Sequence, residues 1–140
     1  SWGSRAVAWV VDLLFMLVPW VLVVLAFVAE LNVLGGILVA LAFAWACFVY
    51  APVFMMRAGE RNGQTPGKQI ARIRVVRESG EPLTYGYSLL RELAVKQLLI
   101  GFVGAFFLYI PVLLDYLWPL WDDQNRALHD MVAQTRVVEV

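Results

Sequence analysis

Two carboxylates stand where carboxylates are costly. Asp12 is the one charged residue of an apolar run over residues 6–29, and Asp115 is the one charged residue of a second run over 97–121. An ionised Asp at the centre of a membrane helix costs about 2.5–3.5 kcal/mol on insertion scales. It is tolerated when protonated, paired or turned toward a polar cavity. A group held near that balance can bind and release a proton or a cation, so Asp12 is the first ion- or proton-binding candidate. The alternative is a structural carboxylate bonded to a neighbouring helix, for which Arg91, Lys96 and Tyr109 are potential donors. Asp115 is the second candidate. It follows Pro111 by about one turn, and proline has no amide to bond the Phe107 carbonyl. A free carbonyl and a carboxylate beside a helix break make a cation site in transporters with discontinuous helices. Otherwise Asp115 rests at the membrane interface beside Tyr116 and Trp118.

These acids need elements to hold them. The runs 6–29, 33–56 and 97–121 are each long enough for a bilayer, which takes about 20 apolar residues per helix. Of the 140 residues 61% are hydrophobic, against about 45–50% apolar in soluble domains. The expected class is therefore an integral membrane protein facing a lipid bilayer. Arg5 before so long an apolar run, with no small-residue cleavage site leading to a soluble domain, argues against a signal peptide. The formal net charge is zero, which gives no case for nucleic-acid binding. The single cysteine, Cys47, excludes an intrachain disulfide, and no His or Cys spacing suggests a metal site. No nucleophile–base pair or cofactor loop is visible, so neither an enzyme nor a cofactor is expected. The run 63–68 is not a P-loop: three residues separate its glycines, and Gln69 stands where Ser or Thr is required.

The first two runs are joined only by residues 30–32, which forces an antiparallel hairpin. Residues 57–96 hold eight of the eleven Lys and Arg residues. The positive-inside rule places this segment, and with it Arg5, in the cytoplasm. Gly36, Ala40 and Ala44, four apart, predict a face of helix two that packs closely on a neighbouring helix. Residues 70–77 mix β-branched side chains with arginines and predict a strand; residues 78–82 read as a turn. The tail 135–140 has the same strand character. Since lone strands are marginal, the tail is expected to pair with residues 70–76. Pairing requires both on one side of the membrane, whereas three full crossings would separate them. Pro111, helped by Gly101 and Gly104, predicts a break near residues 107–111 that returns the chain to the cytoplasmic side; a straight third span is the alternative. The expected organisation is one domain over 1–140: helix 5–29, helix 33–56, cytoplasmic segment 57–96, a broken helix within 87–121 and cytoplasmic tail 122–140. The fold class is thus an all-α membrane protein of three apolar helical segments, the third kinked or broken at Pro111, with a small cytoplasmic β element. Trp2, Trp20, Trp118 and Trp121 read as interfacial anchors.

Four local patterns then converge: Arg5 followed by Asp12; residues 62–68, Asn-Gly-Gln-Thr-Pro-Gly-Lys, ahead of Ile73-Arg74-Val75-Val76; Leu90-Arg91-Glu92; and Trp121-Asp122, Arg126-Ala127-Leu128-His129-Asp130, then Thr135-Arg136-Val137-Val138. In this order and spacing the chain resembles the RDD family of small bacterial membrane proteins over nearly its whole length. The name residues, one arginine and two aspartates, fall on Arg5, Asp12 and Asp130. Where the family usually has Ala-Gly-Thr, this chain has Ala133-Gln134-Thr135. The resemblance implies a multi-pass protein of the bacterial plasma membrane and transport of ions or small ligands, including sodium–proton exchange.

Seven residues of α-helix advance about 10.5 Å over nearly two turns, which places Arg5 and Asp12 on one face at different depths. Asp130 lies in a polar segment, and its expected role is a structural ion pair with Arg5, since Arg–carboxylate forks are geometrically specific. His129 is a candidate proton relay, with an ordinary exposed histidine as the alternative. Lys68, Arg72 and Arg74 are candidates for contact with lipid phosphates, or simply a solvated basic surface. Two functions follow as expectations: proton-coupled transport of monovalent cations or small ligands, or a non-catalytic accessory or assembly subunit. Either expects self-association or a larger membrane complex, because three apolar segments enclose little volume.

Overall fold

The computed structural model describes residues 1–94, 101 and 103–140. Lys96 and the opening of the third apolar run, expected partner and helix respectively, lie outside the described residues.

Helix α1 covers Trp2–Val28. Its 27 residues at about 1.5 Å each exceed the roughly 30 Å hydrocarbon thickness. The chain reverses at Glu30, which takes φ 61, and Leu31 N–H closes the turn on the Ala26 carbonyl at 2.9 Å. A second helical run returns over Asn32–Met55. It comprises α2 (Asn32–Ala44), a wide π-type turn (Trp45–Tyr50) and α3 (Ala51–Met55). The wide turn lies just before Pro52, whose missing N–H and ring forbid the ordinary helical bond there.

Both runs are long and apolar enough to cross a membrane, and only 17% of each apolar stretch is buried. The core helix of a soluble protein would be mostly covered. Here Val18, Val24, Phe43 and Val33 are 61%, 60%, 61% and 81% exposed. So much outward apolar surface requires a non-aqueous surrounding, and the pair is of membrane type. The close approach between the two helices lies at Gly35, whose backbone meets the Phe27 ring, and at Ala42, which is 1% exposed. This corrects the expected face. A Cβ on Gly36 would meet nothing within 4 Å, and Ala40 is exposed; the helix presents the neighbouring column to α1.

Beyond Met55 the chain builds a small layer under the hairpin. Helix α4 (Pro66–Ile70) leads into β1 (Ile73–Arg77), and after a turn at Gly80 comes α5 (Tyr85–Leu89). Strand β2 (Thr135–Glu139) pairs antiparallel with β1, from Ile73 opposite Glu139 to Arg77 opposite Thr135. The pairing therefore starts later than residue 70: Ile70 ends α4, and Arg72 turns the chain with φ 54. The inner face of the ribbon places Val75 on Met55 and Leu83, with Ala51, Tyr87 and Val137 around them. That core fastens the ribbon to the end of the second helical run.

The third apolar run is not a straight helix in its described part. Helix α6 (Val103–Phe106) stops, Leu108 and Tyr109 take φ 53 and 60, and α7 runs over Ile110–Leu117. Pro111 opens α7 rather than kinking its middle, at a position where the absent amide costs no helical bond. The far end of α7 lies beside the start of α1, where Trp2 Nε1 donates to the Tyr116 carbonyl at 2.9 Å. Helix α8 (Leu128–Val132) then leads into β2. Gln134, at the family's usual glycine, takes φ 52. An L side chain in this left-handed region costs about 1–2 kcal/mol. Gln134→Gly should therefore stabilise the protein by about 1 kcal/mol, read as a higher denaturation midpoint in detergent micelles.

Candidate functional site

Two clusters of buried charge lie at the end of the hairpin that carries the ribbon. The first is built on Asp12, which is 6% exposed on the face of α1 toward α4. Tyr50 from the second helical run donates its hydroxyl to Oδ1 at 2.8 Å. Thr65 donates its hydroxyl to Oδ2 at 2.6 Å, and Gly67 N–H donates to Oδ1 at 2.8 Å. Lys68 Nζ stands 3.8 Å from Oδ2. The local sequence explains the arrangement. Thr65 caps α4, with Pro66 in the first turn, a strong helix-start signal. The residue at 67 must be small: a Cβ there would fall 2.2 Å from the Ala8 carbonyl and 2.6 Å from Asp12 Oδ1.

The rest of residues 62–68 serves the same docking. Asn62 donates to the Met55 and Leu83 carbonyls and accepts from Leu83 N–H. Gly63 has φ 75, and a Cβ on it would collide with the Val75 carbonyl oxygen at 1.9 Å. Gln64 Nε2 donates to the Ile73 carbonyl at 3.0 Å. The segment is a clasp between α1, the second helical run and β1. Lys68 is corrected accordingly: its ammonium lies against Asp12 with the side chain 14% exposed, not outward toward lipid phosphates. Arg91 and Tyr109, two of the donors expected for Asp12, are not its partners in these bonds.

The second cluster centres on Arg91, which is 2% exposed. Its guanidinium grips Asp130 Oδ1 through Nη2 and, at 3.1 Å, through Nε; it also bonds Glu92 and Thr135 Oγ1. Asp130 is fully buried. Its other oxygen accepts from Arg5 Nη1 at 2.7 Å and from Ala127 N–H at 3.1 Å. Arg5 also reaches the Asn125 carbonyl. Burial alone would raise the Asp130 pKa, but Arg91 and Arg5 outweigh it and hold the carboxyl well below the usual range. Sequence reasoning paired Arg5 with Asp130 but gave Arg91 no role toward it. Nothing local in Leu90-Arg91-Glu92 signals that a full charge will be enclosed.

Asp115 joins this cluster and is 1% exposed. It accepts from His129 N–H at 2.8 Å and lies 2.8 Å from His129 Nδ1, while His129 Nε2 faces Arg91 Nη2 at 3.0 Å. A guanidinium only donates, so the satisfied tautomer carries its proton on Nδ1 toward Asp115 and accepts at Nε2. One expectation is corrected here: the Phe107 carbonyl accepts from Ile110 N–H at 3.0 Å, so it is not free for a cation. Asp115 itself is enclosed by protein, one residue before Tyr116, whose carbonyl accepts from Trp2 at the start of α1. Among the described residues no group of three or more His, Cys, Asp or Glu is arranged to hold a metal ion. Arg72 is exposed, and Arg74 donates to the Glu60 carbonyl.

Fold and clusters define a membrane-type helical hairpin locked to a polar layer by buried Arg–Asp contacts. The chain belongs to the RDD family, whose model matches residues 1–134. It is similar to the proline-rich antigen of Mycobacterium leprae, 31% identical over 99 residues that cover 68% of this chain and 36% of that protein. A proline-rich antigen homolog of Mycobacterium tuberculosis is 30% identical over 79 residues, 56% of this chain and 29% of that protein. The chain thus spans about a third of the length of these curated relatives. No solved structure matches it significantly.

Proposed function

We propose that this chain is a non-catalytic, multi-pass module of the bacterial plasma membrane that acts in assembly, as the membrane part of a longer protein or as an accessory subunit of a larger complex. The observation that supports this reading is the saturation of both in-membrane carboxylate candidates by the chain's own donors: Asp12 by Tyr50, Thr65, Gly67 and Lys68, and Asp115 by His129. Carboxylates so enclosed hold elements together. The basic segment favours a cytoplasmic position for the ribbon. With α7 only eight residues long, or about 12 Å, the described part of the third apolar run is too short to cross the bilayer and dips into one leaflet.

A second reading, proton-coupled transport of monovalent cations or small ligands, draws on the unbroken line from Asp115 through His129 and Arg91 to Asp130 and Arg5. Reconstituted vesicles with an internal pH dye separate the two. Under an imposed sodium or potassium gradient the assembly reading expects the wild-type trace to match that of empty vesicles. Proton movement that depends on the protein and vanishes in a folded Asp115→Asn variant would replace it with the transport reading.

A further inference from the structure

We propose that the concavity between α4 and the outer face of β1 is a binding site for a phosphate group, carried by an anionic lipid headgroup or by a soluble phosphate compound. It measures about 560 Å³ and is lined by Glu60, Arg61, Gln64, Gln69, Arg74 and Val140. Among the described residues no carboxylate lies within ion-pair distance of Arg61 or Arg74. Among the described residues Arg74 bonds the backbone carbonyl of Glu60 alone, and its buried Nε has no hydrogen-bond partner there. Arg57 adds a third guanidinium behind the wall: it bonds the Phe54 and Gln64 carbonyls and, with the Gln69 amide turned to satisfy both groups, Gln69 Oε1 at 3.1 Å. Burial and the positive charge of Arg61 lower the Arg57 pKa, as expected where guanidinium groups crowd together; the one carboxylate in the lining, Glu60, makes no ion pair with them among the described residues. Planar guanidinium forks and amide N–H groups in one hollow match phosphate oxygens.

The position suits a lipid. Gly67 fixes α4 against α1 at the level of Ala8 and Asp12, a few turns inside the helix, and Ile70 at the end of α4 is 63% exposed. An outward isoleucine at that depth fits acyl chains, with the cationic hollow beside it at headgroup level.

The test is titration of the purified protein in neutral detergent with dioctanoyl phosphatidylglycerol, dioctanoyl phosphatidylcholine, inorganic phosphate and pyrophosphate, followed by native mass spectrometry and by thermal shift. Arg61→Gln is the informative variant because, among the described residues, that side chain is within ion-pair distance of no carboxylate and it lines the hollow. It should weaken phosphatidylglycerol binding by about tenfold, the loss of one charge-assisted contact. Glu60→Gln should tighten binding, and Arg136→Gln, on the same ribbon but outside the hollow, should leave it within about twofold. Preference for phosphatidylglycerol over pyrophosphate identifies a headgroup site, and the reverse order a soluble phosphate. Equal losses from Arg61→Gln and Arg136→Gln, or no loss from Arg61→Gln, would overturn the proposal. Because the readout is binding, failure here leaves the assembly reading intact, and proton flux in vesicles would leave this site intact.

Discussion

Replacing Arg91 by methionine should lower the free energy of unfolding by about 3–5 kcal/mol, because removing one partner of a buried pair strands the other charge. Asp130 would keep Arg5 but lose its principal partner, Glu92 would lose another, and His129 Nε2 would lose the Arg91 guanidinium. Denaturant unfolding in mixed micelles measures the loss. The partnered double variant Arg91→Met/Asp130→Leu should recover part of it, since an apolar pair of similar volume is often tolerated where a half-pair is not. The same cluster fixes the acid response. Arg91 and Arg5, outweighing burial, hold the folded Asp130 pKa below its ordinary value of 3.8. A depressed folded pKa means that the unfolded chain takes up protons first. This contribution is therefore complete above the unfolded value and is lost as pH falls below about 3.8 toward the folded one. Asp130→Asn should flatten that part of the stability profile.

Gly67→Ala should cost about 3 kcal/mol or more, combining overpacking against backbone with lost charge-assisted bonds. The added methyl would lie 2.2 Å from the Ala8 carbonyl and 2.6 Å from Asp12 Oδ1. Neither can retreat within α1, so α4 must lift and take the Gly67 and Thr65 donors away from Asp12. Gly86→Ala is the control. A Cβ there meets nothing within 4 Å, and alanine is the better helix former, so that variant should unfold at the same or slightly higher denaturant concentration.

The large apolar elements were legible because their signals are local. Long, nearly uncharged runs mark the two apolar helices, β-branched residues mark both strands, and the rule that lone strands need partners led to the ribbon. The break in the third run was legible from Pro111, although the chain uses Leu108 and Tyr109 for the turn and Pro111 to restart the helix. What escaped was the identity of partners. Asp12 looked isolated because its donors come from positions 50 to 68 and reach it only when a clasp folds under the hairpin. Asp115 looked like a cation ligand because nothing local links it to His129. The packing face of helix two was missed by one residue, Gly35 for Gly36. Both faces are apolar and each carries a glycine and an alanine, and the observed helix rotation, with the Phe27 ring on Gly35, distinguishes them.

The account holds that Asp12 is an anchor for the clasp rather than an exchangeable group. A double-mutant cycle between Asp12→Asn and Thr65→Val, read as unfolding free energies in mixed micelles, tests this directly. The two side chains meet at 2.6 Å in a buried site, so the cycle should return a coupling of about 1–3 kcal/mol. Losses that add to within about 0.5 kcal/mol, the behaviour of independent sites, would contradict the account.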